Sequence, residues 1–399
     1  MISLQSLRNE SGRDDVTISR KYIVNFKKAL GLEDVPLTND EVAAFKKNLL
    51  MIKKALYVGD IDLFKESQLQ LAHCVKWSHE PDLQITYLLL CILFYRIVGD
   101  NKACDETMLE LGKRRKEFTE EHLYVYKRQL GVIDYLNYQY NDALAHYLEA
   151  QKVGEPLDLC DPNLFFNIGL CLYALGYAYM SCRYFEKALD KGDSIYQIKY
   201  GIRIQKCLAG NYSQLGQHKE ALKVLRSILK EALEKKVGNL TTCAIYAELG
   251  RTYRRAGNCD KALENIDNAF RYYDEGSEIH IYHLCDKAYI LFTYNRYEEL
   301  RECIKAVFSM IGERDGPPWH TRLISMEKLM RLHDTGCRVY LETVLIPKHL
   351  KRGDHLFVIE CYERLALYYE SIRHLREALD YTRKASELRM KLIEEDFSI

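Results

Sequence analysis

The fold prediction starts from residues 209–228, which read AGNYSQLGQHKEALKVLRSI. A small residue, an aromatic residue three positions later and an alanine twelve positions after the small residue occur again in residues 250–269, GRTYRRAGNCDKALENIDNA. In both stretches a glycine follows the aromatic residue by four positions. Glycine readily adopts the left-handed conformation that ends a helix. Each stretch therefore predicts two helices joined by a short turn.

Copies of this pattern recur about every forty residues. In the clearest copies, the alanine position twelve residues after the first small residue holds Ala143, Ser181, Ala221, Ala262 and Ala378. The first four of these residues are separated by 38, 40 and 41 positions. A weaker copy runs through Leu300, and one degenerate unit is expected around residues 310–350, near Pro317, Pro318 and Pro347. One helix pair cannot bury its apolar face, whereas a stack of pairs can. The pattern favours an all-α solenoid over a simple helical bundle.

Composition narrows the class of protein. Of the 399 residues 48% are hydrophobic, and 57 basic side chains balance 57 acidic ones, so no whole-chain charge attracts nucleic acid or an anionic membrane. The 13 cysteines contain no Cys-x-x-Cys pair, which is typical of reduced thiols in the cytoplasm. The longest apolar run, residues 85–95, is shorter than the roughly 20 residues of a membrane helix. We predict a cytoplasmic protein with no membrane partner.

The sequence contains none of the common short motifs of catalytic or phosphate-binding sites. It has no glycine-rich phosphate loop, no Gly-x-Ser-x-Gly and no His-Glu-x-x-His. His280 and His283 are three apart on a predicted helix, but no third metal ligand is near them in sequence. The sequence therefore predicts no enzyme, no cofactor and no metal.

The repeats resemble the tetratricopeptide repeat, although their period exceeds its usual length of about 34 residues. The chain is most similar to the Rap, NprR and PlcR-type receptors (RRNPP proteins), which are intracellular receptors for secreted signalling peptides. Three stretches carry this resemblance: YLNYQYNDALAHYLEA at 135–150, AGNY at 209–212 and REALDYTRKA at 376–385. The resemblance implies a right-handed superhelical solenoid that binds a short signalling peptide on its concave face and controls a regulatory protein or DNA partner. It leaves a homodimer open.

Residues 1–35 differ in character from the repeats. The segment SLQSLRNESGR at 3–13 resembles the end of a Cro/CI-type recognition helix, yet only two residues precede Ser3, so the two supporting helices are expected to be missing. Two interpretations stay open for residues 1–35: a partial helix-turn-helix and a capping segment for the solenoid. Residues 40–118 are interpreted as diverged helical hairpins and residues 119–399 as the repeat domain.

The resemblance also implies which residues line the groove, because the first helix of each unit faces the concave side. The residues expected to bind peptide are Arg128, Tyr135, Asn167, Tyr173, Arg203, Lys206, Asn211, Arg251, Arg254 and Glu363. Asn211 is carried over from the AGNY step, where family receptors hold the peptide backbone. The central units are basic and the last is acidic, which suits an extended ligand with oppositely charged ends. The alternative is that these charges form a solvated face.

The leading hypothesis is therefore a quorum-sensing-type regulator that binds a short peptide. One alternative is a scaffold that joins proteins without any peptide ligand. The other is a helix-turn-helix transcription regulator whose N-terminal helices are missing from this chain, since DNA binding would require such helices upstream of Met1.

Overall fold

The computed structural model describes residues 40, 42–49, 81–311 and 318–398. In these ranges the chain forms helices and no strands, so the predicted all-α class is confirmed. The helix-turn-helix-like segment 1–35 and much of the predicted hairpin region 40–118 lie outside the described residues. No helix within the described ranges is both long and apolar enough to cross a membrane. The chain divides into two compact units, Met1–Gln129 and Leu130–Ile399.

The described part of the first unit contains α1 (Pro81–Val98), α2 (Asn101–Lys113), a 3-10 turn (Arg115–Glu117) and most of α3 (Glu120–Leu136). Asp100 begins α2 by accepting a hydrogen bond from the Ala103 N–H, which satisfies a backbone donor that has no partner inside the helix. Apolar residues of α1 such as Tyr87 and Cys91 are buried in one cluster with Phe45 and Leu49.

The second unit is a stack of helical hairpins, which confirms the predicted solenoid. Its regular helices are α4 (Tyr140–Gly154), α5 (Pro162–Leu175), α6 (Ala178–Lys191), α7 (Ser194–Gln214), α8 (His218–Lys235), α9 (Asn239–Arg255), α10 (Cys259–Phe270), α11 (Glu278–Thr293) and α12 (Tyr297–Ile311). The glycines that the sequence placed in the turns, Gly216 and Gly257, have positive φ angles of 80° and 81°. These turns reverse the chain between α7 and α8 and between α9 and α10.

The degenerate unit expected around residues 310–350 is a broken hairpin. Its helices are α13 (Pro318–Leu329), α14 (Thr335–Tyr340), a π-helical turn (Leu341–Leu345) and α15 (Ile346–Lys351). Pro347 has no N–H to continue an α-helical ladder, which accounts for the wider turn before it. The last hairpin is α16 (His355–Ser371) and α17 (Leu375–Ser398).

Small residues at the repeat positions allow the two helices of each hairpin to approach closely. A Cβ atom added to Gly169 would lie 2.8 Å from the Phe185 ring, and one added to Gly250 would lie 2.8 Å from the Ile266 side chain. Phe185 and Ile266 are fully buried. The small residues of the repeat pattern thus mark the positions where a large side chain from the second helix of a hairpin packs against the backbone of its first helix.

The last helix returns to the second hairpin through a set of contacts that we call the C-terminal clasp. The Asp396 carboxylate accepts hydrogen bonds from the N–H groups of Tyr179 and Met180, each at 2.9 Å. The Tyr177 hydroxyl donates to Glu395 at 2.6 Å. These N–H groups lie in the first turn of α6, where the helix supplies no acceptor. The clasp therefore closes the second unit between α6 and α17.

Candidate binding cavity

A cavity of about 1180 Å³ opens inside the second unit. Its walls come mainly from the first helices of successive hairpins, α5, α7, α9, α11 and α16, together with α13 and α17. This volume exceeds the few hundred to roughly 1,000 Å³ of typical small-molecule sites. The cavity is therefore large enough for a ligand such as a short peptide.

Six of the ten residues expected to bind peptide lie together on the cavity walls. They are Tyr135, Tyr173, Lys206, Arg251, Arg254 and Glu363. Arg128 belongs to the first unit, where its guanidinium lies 5.2 Å from the centre of the Tyr124 ring. Asn167 is half-buried on α5 and does not line the cavity. Arg203 is exposed, with its guanidinium 5.3 Å from the centre of the Phe166 ring.

Asn211 points into the helix packing. Its side chain is fully buried, and its amide donates to the Ser181 hydroxyl at 2.9 Å. Lys206, Cys207 and Gln214 of the same helix line the cavity, whereas Asn211 does not. Asn211 thus joins α7 to α6, and the peptide contact implied for it by the resemblance stays a prediction.

Glu248 forms the centre of the ionic groups in the cavity. It is 1% exposed and accepts hydrogen bonds from the Tyr173 hydroxyl at 3.1 Å and from Arg251 at 2.7 Å. Gly210 makes room for this contact, because a Cβ there would lie 2.8 Å from the Tyr173 hydroxyl. Burial opposes ionisation of Glu248, but Arg251 and Arg255 outweigh burial and lower its pKa. The carboxylate is therefore charged at neutral pH.

Asp286 continues the network from α9 to α11. It accepts a hydrogen bond from Arg251 at 2.6 Å, and the His283 ring nitrogen lies 3.1 Å from the same carboxylate oxygen. Burial again opposes ionisation, yet Arg251 and His283 lower the pKa of Asp286. One guanidinium thus joins two carboxylates on neighbouring hairpins.

A second ion pair lies where α13 meets the turn before α16. Arg322 donates both to one oxygen of Asp354, at 2.7 Å, and to the other. The His349 ring contacts Asp354 at 2.9 Å and Ser325 at 3.0 Å. Burial opposes ionisation of Asp354, but Arg322 and His349 lower its pKa far below the usual range. This pair connects the broken hairpin to the last one.

The acidic side of the cavity is also engaged. Glu363 on α16 accepts from Arg389 on α17 at 2.6 Å, and Glu360 accepts from the Tyr289 hydroxyl. The Arg254 guanidinium lies 4.2 Å from the centre of the same Tyr289 ring. Of the charges expected on this face, Arg251 and Glu363 are therefore paired with side chains that the sequence did not single out.

Sequence reasoning missed the acidic partners Glu248, Asp286 and Asp354. The residues expected on the concave face did not include Glu248, which stands two residues before Gly250 in the otherwise apolar run AIYAELG. A carboxylate within an apolar helix face needs a buried partner. That signal could have identified Glu248, whereas the partner of Asp286 depends on how the hairpins stack.

Solved structures of other proteins share this helical architecture. No family model matches the chain. Over 88% of this chain and 99% of the other, the fold is similar to a Rap protein complexed with competence and sporulation factor, with TM-score 0.74 and 16% identity. It is also similar to NprR in complex with its cognate peptide NprX, with TM-score 0.73 and 19% identity over 86% and 98% of the two chains. The chain has the Rap/NprR fold.

The Rap/NprR fold implied by the family resemblance is thus confirmed. A curated relative, response regulator aspartate phosphatase E of Bacillus subtilis (strain 168), is 24% identical over 257 residues, which cover 60% of this chain and 67% of that protein. This similarity corrects the prediction that the chain is not an enzyme. That prediction rested on short motifs of known enzyme classes, and such motifs detect only chemistry whose residues are close in sequence.

Proposed function

We propose that this chain is a regulator that binds a short signalling peptide in the cavity of its second unit and thereby controls a protein partner in the cytoplasm. The observation that carries the proposal is the cavity itself, in which tyrosines and charged side chains from successive hairpins converge. Convergent polar groups in a large concave site are the usual mark of a binding site. The similar NprR structure is a complex with its cognate peptide NprX, which supports the same class of ligand.

Binding of short peptides encoded beside the gene tests this proposal by isothermal titration calorimetry. We expect a peptide to bind the wild-type chain and to bind Arg254→Ala about tenfold or more weakly, because Arg254 lies on the cavity wall. Arg226→Ala is the matched control, since Arg226 also stacks on a tyrosine, Tyr253, but lies outside the cavity. Binding of no peptide, together with capture of a protein partner, would favour the scaffold alternative.

A second candidate function is dephosphorylation of a response regulator. The similarity to response regulator aspartate phosphatase E supports it. Incubation with an acyl-phosphorylated response regulator and measurement of phosphate release tests it directly. We expect release above the spontaneous rate, and we expect the bound peptide to change that rate. Equal rates with and without the chain would leave peptide-dependent binding of a partner as the function.

A further inference from the structure

Four cations line the α7 and α9 side of the cavity: Lys206, Arg251, Arg254 and Arg255. We call this set the basic wall. The carboxylates in contact with it are Glu248 on α9 and Asp286 on α11, and Arg251 contacts both of them directly, at 2.7 Å and 2.6 Å. Two carboxylates therefore offset only two of the four positive charges, which leaves the basic wall with an excess of positive charge.

Arg255 is only weakly compensated by the carboxylates near the basic wall. Its nearest carboxylate oxygen, on Glu248, lies at 3.8 Å, and its side chain is only 20% exposed. It also donates to the Ser213 hydroxyl at the long distance of 3.5 Å. Burial lowers the pKa of Arg255, and the neighbouring Arg254 adds to this effect. A guanidinium in this setting gains from an additional anion.

Arg254 presents hydrogen-bond donors that the protein does not fully use. It stacks on Tyr289 and donates to the Thr293 hydroxyl at 3.3 Å, while its buried Nε has no hydrogen-bond partner. Lys206 stands half-buried on α7 and forms no ion pair with the residues that the structure describes. A planar guanidinium with free donors is well suited to a carboxylate.

Resting on the proposed function, we propose that the basic wall binds a carboxylate of the peptide. The carboxylate is either the free C-terminus or an aspartate or glutamate side chain. The acidic side of the cavity is less available to a cationic group, because Glu363 is paired with Arg389 and Glu360 accepts from Tyr289. The tyrosines of the cavity, among them Tyr135 and Tyr173, supply surface for the rest of the peptide.

Three pools of synthetic random hexapeptides test the inference on the full chain. The first has free C-termini, the second has amidated C-termini, and the third is amidated and contains no aspartate or glutamate. Peptides retained by the chain are identified by mass spectrometry and titrated individually. We expect the best binders of the first or second pool to bind at least about tenfold more tightly than those of the third. Enrichment in the first pool alone identifies the C-terminus, and enrichment in both identifies a side chain.

Variants of the basic wall provide the second arm. The double variant Lys206→Gln with Arg254→Gln should reduce the advantage of acidic peptides over the third pool to about twofold or less. Lys219→Gln with Arg226→Gln is the control, because these exposed residues lie outside the cavity. Should circular dichroism show that the double variant is unfolded, the single variant Lys206→Gln is used with the same criterion.

The outcomes separate this inference from the proposed function. If no pool yields a binder, peptide binding itself is wrong. If the third pool binds as tightly as the other two, peptide binding stands and the carboxylate inference is wrong. An advantage of acidic peptides that persists unchanged in the folded variant also overturns the inference, because the anion is then held elsewhere.

Discussion

The hairpin contacts and the cavity wall of the second unit are stabilised in different ways. In the hairpins, a large apolar side chain such as Phe185 packs against a backbone position that must be small, here Gly169. On the cavity wall, charged side chains such as Glu248 and Arg251 are held by one another. The first arrangement repeats with the sequence period, and the second does not. The fold thus comes from the repeated contacts, and the binding chemistry from the unrepeated ones.

The strongest test of the repeated contacts is Gly169→Val. The new side chain would meet the Phe185 ring, since a Cβ at this position lies 2.8 Å from it. We expect a loss of about 3 kcal/mol in the free energy of unfolding, measured by urea denaturation. Gly201→Ala is the control, because a Cβ there has no neighbour within 4 Å. The control should stabilise α7 by about 0.5–1 kcal/mol, since alanine favours a helix over glycine. Equal stability of both variants would contradict the packing explanation.

The hairpins were predictable for this physical reason. Small residues, turn glycines and large buried side chains lie within one repeat, so their spacing along the sequence reports the contact itself. Gly169 and Phe185, for example, are sixteen residues apart in one hairpin. The broken hairpin with Pro347 was also visible, because proline removes a backbone donor. The π-helical turn before it was not, since its register depends on packing as well as on sequence.

The unrepeated contacts are tested by Glu248→Gln. Glutamine keeps the size of the side chain but removes the negative charge that Arg251 and Arg255 share. We expect a loss of about 2 kcal/mol in the free energy of unfolding, because buried cations lose their partner. The control is Glu220→Gln, whose exposed contact with Lys223 is 3.7 Å long and should contribute less than about 0.5 kcal/mol. A loss no larger than in the control would show that the network contributes little.

The same carboxylates predict how stability depends on pH. Glu248, Asp286 and Asp354 have pKa values below their usual range in the folded chain. Their contribution is therefore fully present above the unfolded pKa values near 4 and is lost as the pH falls from there through the lower pKa values of the folded chain. We expect the free energy of unfolding to decrease from about pH 5 downward, with a shallower decrease in Glu248→Gln than in wild type. Urea denaturation at a series of pH values measures both slopes, and parallel slopes would count against the assignment.

The cavity was only partly predictable from the sequence. The expectation that first helices face inward groups Tyr173, Lys206 and Arg251, and all three line the cavity. It does not show which charges pair, because Arg251 and Asp286 belong to different hairpins and meet only once these are stacked. Nor does it place Asn211, whose buried amide donates to Ser181 on α6. Helical periodicity gives the face of a residue, whereas its partners depend on the superhelix.

The C-terminal clasp is an unrepeated contact without a buried ion pair, so we expect its loss to have the smallest effect. In Asp396→Asn the amide oxygen can still accept one hydrogen bond, but the N–H groups of Tyr179 and Met180 no longer share a carboxylate. The free energy of unfolding should fall by about 1 kcal/mol. Hydrogen exchange is the sharper measurement, because the amides of Tyr179 and Met180 should exchange faster while the interior of α6 stays protected. Glu394→Gln, at an exposed position of the same helix, should leave both amides unchanged. Uniformly faster exchange along α6 would instead mean that Asp396 stabilises the whole helix and does not act locally at its first turn.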